Sequence, residues 1–357
     1  MPSPAFEFDP IRLAAWGAIA AITVALLVLG EALLVPLAIA VFIWVLLGAI
    51  KSQLIRAAPE TMQVPNWLAN VFAILVIGIA TYSSIALITS QSDELAAAIP
   101  VYQANFAVLF TGLKEILHVE ELPTTESLLG QLDMAAILTS IGDSVTALMS
   151  DVMLIAIYVG FLLAEEHVLP EKIRHLSRDA VKAERVSNLA SDVTASVQRY
   201  IGMKTVISLA TATVSYAILA LVGVDFAAVW ALLIFFLNFI PTIGSIIAAV
   251  FPSLLTLVQF DTITPFLMVA AGLGITQFTF GNVIEPSYMG RSLNLSSFMI
   301  LLALSFWGLV WGVAGMFLAV PIMVMTGIVC AQFKGLRWIA VILSVDGHLV
   351  KSEAKGE

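Results

Sequence analysis

Charge is what the second half of this chain lacks. From Thr205 to Phe333 only Asp225, Asp261, Glu285 and Arg291 are charged. Soluble helices and sheets need a polar face, and this stretch has almost none. A helix that is apolar all round is either deeply buried or in lipid. Its runs reach ~20 residues, the length that crosses a bilayer core. A water-soluble fold is therefore excluded. Over the whole chain 60% of residues are hydrophobic and 11% charged, against about 25% charged in a typical soluble domain. An excess of positive charge is missing too. The formal net charge of -9 argues against nucleic acid as a partner, which would want a basic patch.

Cysteine is nearly absent. Cys330 stands alone in an apolar run, which rules out an intramolecular disulfide and any CxxC metal or redox site. It reads as a small packing side chain. Catalytic motifs are missing as well: there is no HExxH, no GxSxG and no GxxxxGK[ST], so neither a zinc protease, a serine hydrolase nor a P-loop enzyme is indicated. His118, His167, His175 and His348 all lie outside the apolar runs, where they cannot ligate an intramembrane metal or haem. No cofactor and no enzyme activity is expected. Without a nucleotide-binding motif, any pumping is passive or driven by a gradient.

What is present is a series of apolar runs at 13–29, 32–50, 67–89, 145–164, 205–222, 226–258, 265–281 and 295–333. They are continuous rather than alternating, so they are helices and not barrel strands. Lipid enforces the same choice, because each backbone N–H and C=O must find its partner within the segment. The expected fold is an all-α polytopic membrane protein with about eight hydrophobic segments. The stretches 13–50, 226–258 and 295–333 are each long enough for two short helices, as a spanning pair or as a re-entrant hairpin. Both return the chain to the side it came from, so charge counting does not separate them. The first run restarts at Ala32 and continues to Ile50 with no convincing cleavage site, so it reads as membrane helix rather than a secretory leader. Met1 to Pro10, with Pro2, Pro4 and Pro10, reads as a disordered lead-in.

The distribution of Lys and Arg orients the chain. Lys51 and Arg56 lie in one loop. Lys172, Arg174, Arg178, Lys182, Arg185, Arg199 and Lys204 lie in another, and Lys334, Arg337, Lys351 and Lys355 in the tail. These face the cytoplasm. Ser90 to Ser144 carries one basic residue, Lys114, against eight acidic ones, and faces outward. The expected division is 1–89 N-terminal membrane helices, 90–144 an extracytoplasmic amphipathic segment, 145–164 a membrane helix, 165–204 a cytoplasmic amphipathic segment, 205–333 C-terminal membrane helices with broken-helix motifs, and 334–357 a cytoplasmic tail. Both termini are then cytoplasmic. Ile99, Tyr102, Phe106, Leu109, Leu113 and Ile116 form the apolar stripe of the outer segment. It reads as a helix on the membrane face or on its own bundle, or else as a subunit contact or vestibule lid. Ile173, Leu176, Ala180, Val186, Leu189, Val193 and Val197 do the same for the inner segment, whose other face mixes charges as a solvated face does.

Three features could carry function. Asn238-Phe239-Ile240-Pro241-Thr242-Ile243-Gly244-Ser245 sits inside an apolar run. Pro241 breaks or kinks the helix, and Gly244 permits a tight reversal. A broken helix in lipid is tolerated only where protein or a water-filled cavity covers the freed backbone groups. Asn238, Thr242 and Ser245 are the nearest side chains able to satisfy them. Such breaks build binding points near mid-membrane in transporters; the plain alternative is a hairpin tip at the membrane surface. The second feature is Gln277, Asn282, Glu285, Pro286, Gly290 and Arg291. Its two charges either anchor a helix end or, if buried, are paired and belong to a gate or a proton-coupled site. The third is Gly308 to Gly312 with Gly315, whose small residues permit close helix approach. Trp307 and Trp311 beside it are candidate interface anchors. Glu31 reads as a loop-tip residue and Asp151 as one at the membrane interface.

The order NFIPTIGSIIAAVFPSLLTL, NVIEPSYMGRSLNLSSFMILLAL, WGLVWGVAGMFLAVPIMV resembles the AI-2E transporter family. The resemblance is specific from about Arg199 to Val324, and upstream it rests on hydropathy. It implies a multi-pass bacterial inner-membrane protein of about eight membrane segments. Members are linked to export of the signal autoinducer-2 or resemble sodium(lithium)/proton antiporters, and homo-oligomers, pentamers among them, occur. The family's Asn-x-x-Pro-x-x-Gly falls on Asn238, Pro241 and Gly244, and its Glu-Pro…Met-Gly on Glu285, Pro286, Met289 and Gly290. Thr242 stands where an aromatic residue is common. The partners expected are the lipid bilayer, a small polar solute, and protons or sodium if a carboxylate such as Glu285 titrates in the bilayer. A non-transporting membrane scaffold is the rival from another class.

Overall fold

The structure, a computed structural model, describes residues 10–58, 64–117, 151–166, 168, 171–172, 180–289, 295–333 and 335–347. Its elements are α1 (Pro10–Leu29), α2 (Glu31–Ala57), α3 (Asn66–Leu117), α4 (151–165), α5 (Ala180–Val222), α6 (Ala227–Leu237), α7 (Ile243–Gln259), α8 (Thr264–Phe278), a π-helical turn Thr279–Ile284, α9 (Glu285–Met289), α10 (Ser297–Gln332) and α11 (Arg337–Leu343). Among the described residues the only β pairing is an isolated bridge between Leu295 and Ser344. Five helical stretches are long and apolar enough to cross a membrane: Glu31–Ala57, Asn66–Ser92, Val186–Val222, Thr264–Tyr288 and Ser297–Gln332. Ala14–Leu29, Ala227–Leu237 and Ile243–Gln259 are apolar but shorter.

Three expectations change shape. The runs 13–29 and 32–50 are one bent helix rather than a pair or a hairpin. Only Gly30 separates them, at φ -90 and ψ 8. The hydrogen-bond ladder continues on both sides, from the Gly30 N–H to the Leu26 carbonyl and from the Leu34 N–H to the Gly30 carbonyl. The bend frees the Leu27 carbonyl, and the Trp311 indole N–H donates to it at 3.0 Å. Trp311 is therefore a core residue, 7% exposed, and not an interface anchor. The junctions expected at residues 90 and 204 also fall inside unbroken helices. α3 runs 52 residues, about 78 Å at 1.5 Å per residue, and α5 runs 43.

Two helical hairpins organise the rest. In the first, α5 ends at Val222, a turn with Gly223 (φ 82) and Phe226 (φ 57) reverses the chain, and α6 descends along α5. The chain turns again at Asn238–Thr242, and α7 climbs back. Gln259 closes the base, taking the Asp225 N–H and donating to the Gly223 carbonyl. α6 has 11 residues, about 17 Å, too short for a core of ~30 Å. In the second, α10 breaks at Trp311 (φ -131, ψ 20) and Gly312 (φ 57, ψ -138). Leu304 then packs with Ala319, and Gly308 lies against the Met316 side chain, the pattern of two antiparallel limbs.

Both turns depend on a glycine pressed against backbone. A Cβ on Gly244 would lie 1.8 Å from the Leu237 carbonyl oxygen, and one on Gly315 would lie 1.9 Å from that of Trp307. Gly244 is not among the residues with positive φ; Thr242, at φ 64, turns the corner instead. The expected conformational role of Gly244 is thus a packing role.

The hairpins come from opposite ends of α5. The first has its base at Gly223–Asp225. α8 then runs antiparallel to α5, with Gly272 against Ile218 and Glu285 beside Lys204. α9 ends at Met289 and the second hairpin starts at Ser297, so its base lies at the Glu285 end. Their tips pass each other. Ile240 packs with Leu304 and Ala319, and Phe239 meets Phe317 and Phe42 with ring centroids 4.8 and 5.9 Å apart. α3 spans the outside of this bundle. Ala69 and Ala73 are fully buried near its start. Towards its other end the Tyr102 hydroxyl donates to Asp225 (2.6 Å) and the Asn105 amide to the Val258 carbonyl (2.6 Å). Burial, with the Asp225 carboxylate second, pushes the Tyr102 phenol above its ordinary value. The outer stripe thus meets its own bundle at Tyr102, while Phe106 stacks on Phe110 of the same helix and Leu109 is exposed.

Candidate functional site

An apolar bundle has no cheap way to bury hydroxyls and amides, so their arrangement is informative. Lys204, Ser208, Thr211 and Ser215 are all buried on α5. Their spacing of four, three and four residues is that of one helix face. Asn238 at the first hairpin tip and Thr276 and Gln277 on α8, which packs on α5, are buried as well, as are Ser253 and Thr256 on α7 nearer the hairpin base. Several hydroxyls are satisfied within their own helix: Thr211 donates to the Ile207 carbonyl, Thr276 to that of Gly272, and Ser253 to that of Ala249. The Asn238 amide instead crosses between helices and donates to Ser208 Oγ at 3.0 Å. The break at Pro241 is what brings it there.

One end of the file is an ion pair. Lys204 Nζ lies 2.7 Å from both Glu285 oxygens. The lysine side chain is 3% exposed and the glutamate 22%. Buried Tyr200 stands one turn away on the same helix. Removing two charges from water costs several kcal/mol per ion, and the attraction offsets that only with good geometry. Here the two oxygens share one ammonium. The π-turn ahead of Glu285 follows from Pro286, whose ring clashes with the carbonyl four residues back and which offers no N–H. The Glu285 N–H reaches the Phe280 carbonyl, five residues back.

The residues expected from sequence divide accordingly. Asn238, Gln277 and Glu285 join the file. Pro241 and Gly244 build the turn. Thr242, Asn282 and Pro286 are exposed and Ser245 is half-buried; the α7 N-terminus has no side-chain cap, so Thr242 does not serve there. Gly290 and Arg291 lie outside the described residues, and Glu285 finds its partner in Lys204. Lys204, Ser208, Thr211 and Ser215 were not anticipated as site residues. A row of hydroxyls at helical spacing within an apolar run was the available signal. A separate open groove of about 690 Å³ on α1, lined by Ala20, Ala21, Val24, Ala25, Val28 and Leu29, is apolar and touches none of them.

Opposed hairpins around a buried polar file, in a chain of apolar helices, define a multi-pass membrane transporter. The chain belongs to the AI-2E transporter family, which it matches over residues 18–334. It is 34% identical to the AI-2 transport protein TqsA of Escherichia coli K12, over 87% of this chain and 89% of that one. It is 31% identical to a Haemophilus influenzae protein named "Putative transport protein", over 82% and 85%. It is 28% identical to the E. coli K12 "Putative transport protein YhhT", over 87% and 88%.

Proposed function

We propose that the chain exports a small, neutral, polar molecule across the bacterial inner membrane, with both termini in the cytoplasm and autoinducer-2 as representative of the solute. One observation carries this reading: the break at Pro241 sets the Asn238 amide against Ser208 inside an apolar bundle. Each hairpin is read as re-entrant, and broken helices of this kind form mid-membrane binding points. The name of TqsA supports the solute class. The lining supports neutrality, since hydroxyls and amides predominate and the only buried ion pair among the described residues cancels itself.

A proton or sodium antiporter needs a carboxylate free to titrate. Both oxygens of Glu285 are engaged by Lys204, which favours the neutral solute. A homo-oligomer, pentameric as in the family resemblance, is the expected assembly. The test is efflux of autoinducer-2 from proteoliposomes holding the full chain. Asn238→Ala should slow it at least tenfold while the protein stays folded, and the neutral double variant Lys204→Met with Glu285→Gln should retain it. No flux from wild-type vesicles would favour a scaffold. Flux that dies with Glu285→Gln alone, together with loss of a sodium-driven pH change, would favour the antiporter.

A further inference from the structure

Four buried side-chain polar atoms among the described residues have no hydrogen-bond partner: Gln91 Oε1 on the outer helix α3, and, on three helices of the inner bundle, Ser215 Oγ on α5, Trp230 Nε1 on α6 and Gln277 Nε2 on α8. Ser215 is 0% and Gln277 7% exposed. Helix registers bring the inner three to about one level. Asn238 is bonded to Ser208, and α5 and α6 run antiparallel. Trp230 lies eight residues from Asn238 and Ser215 seven from Ser208, so both stand about two turns from the hairpin tip. α8 is fixed against α5 by Gly272 on Ile218 and by Glu285 on Lys204. That register sets Gln277 between Thr211 and Ser215. Trp230 packs against the cluster containing Leu219 and Leu273, the α5 and α8 residues one turn further on.

Leaving a buried donor unpaired costs about 1–3 kcal/mol. Three at about one level, on α5 and on two helices that each pack against it, are costly unless something fills them. Their chemistry describes the occupant. Indole and amide N–H groups need acceptors, and the serine hydroxyl can give or take. The ion pair lies at the Glu285 end of the file and Asp225 at the other, and among the described residues no charged side chain is buried between them. The occupant is therefore neutral and rich in oxygen.

We propose that Ser215, Trp230 and Gln277 form a solute subsite, between the Asn238 tip and the Asp225 end of the bundle, that binds carbonyl, ether or hydroxyl oxygens of a small neutral molecule. The subsite deepens the transport reading and rests on it for its role in transport, though not for its binding. It extends the contact made by Asn238 by about two turns, roughly 10 Å. A solute moving along the file meets it as a second resting point.

The test uses the purified full-length chain and two probes, autoinducer-2 and the polyol xylitol, read by the shift of the melting temperature. At least one should raise the wild-type melting point. Gln277→Met and Trp230→Phe should each weaken the apparent affinity about five- to tenfold, as loss of one hydrogen bond does. Without probe both should melt no lower than wild type, because each removes an unpaired donor. Ser215→Ala is the mildest change and guards against misfolding in the other two; it should weaken binding about threefold. Unchanged affinity in Gln277→Met and Trp230→Phe, or no wild-type response to either probe, overturns the subsite. So does a lower probe-free melting point with unchanged affinity, which marks a resident water instead. Efflux separates this from the transport reading. If Asn238→Ala stops efflux and Gln277→Met leaves its KM unchanged, the subsite fails and the transporter stands. If wild-type vesicles show no efflux but the melting shifts remain, the subsite stands as a binding site.

Discussion

The two hairpins use one backbone device with opposite contents. Each reverses a helix within a few residues and seats a glycine, Gly244 or Gly315, on a carbonyl of the preceding helix. The first then presents Asn238 to Ser208. The second presents Trp311, whose single polar atom is spent on the Leu27 carbonyl that the Gly30 bend leaves open. A polar tip bonded to another polar side chain can exchange that partner for a solute. An apolar tip locked to backbone cannot. Breaking a helix in a membrane is therefore not in itself a functional sign; what the break exposes decides.

The largest expected effects treat the hairpins alike. Gly244→Ala and Gly315→Ala each force a methyl group into a backbone carbonyl, and neither neighbour is a side chain that can swing away. Each should cost about 4 kcal/mol or more, at the exceptional end for point variants. Size-exclusion profiles and melting curves in detergent would check this, and a normal melt for either variant would mean that the hairpin turns are looser than described. Next is the ion pair beside the first hairpin. Lys204→Met alone leaves the half-buried Glu285 carboxylate without its partner and should cost about 3 kcal/mol, the low end for breaking a buried pair, whereas the double variant with Glu285→Gln should recover most of that. A double-mutant cycle on melting would measure the coupling.

The third pair separates the tips by function. Asn238→Ala should abolish most efflux with a modest loss of stability. Trp311→Phe should lose about 1 kcal/mol, one hydrogen bond's net worth, and keep its efflux. If the two variants behaved alike in transport, the contrast between polar and apolar tips would collapse. The smallest effect concerns the base of the first hairpin. Tyr102→Phe removes the bond to Asp225 and should lower stability by about 1 kcal/mol. The folded phenol is raised above the free value of ~10. Its contribution is therefore complete below that value and is lost only as pH rises through the folded one. The difference in melting point between wild type and Tyr102→Phe should stay flat from about pH 7 to 9.

Much of this was legible in the chain. Continuous apolar runs mean helices, and Pro241 marks the first reversal; the glycines from Gly308 to Gly315 signal close helix approach, whereas the second reversal shows in the backbone at Trp311 and Gly312. Helix continuity was less readable. At residue 90 the pattern passes from uniformly apolar to amphipathic, and a change of surroundings looks like a change of element, yet the backbone of α3 continues because neither pattern disfavours helix. Lys204 was misread for a related reason. It ends a basic stretch in sequence and so looks solvated, but its partner Glu285 lies 81 residues on, and only the fold of α8 against α5 joins them. The hydroxyl file could have been found, since Ser208, Thr211 and Ser215 repeat at helical spacing. Which helices faced it could not, because that depends on the packing of α6 and α8.

α3 carries one last consequence. It is fastened to α2 near Ala69 and Ala73 and, about 50 Å further along, to the base of the first hairpin through Tyr102 and Asn105. An uninterrupted rod bolted at two distant points acts as a brace. The hairpin base cannot slide against α2 unless the brace flexes or its outer bolts come undone.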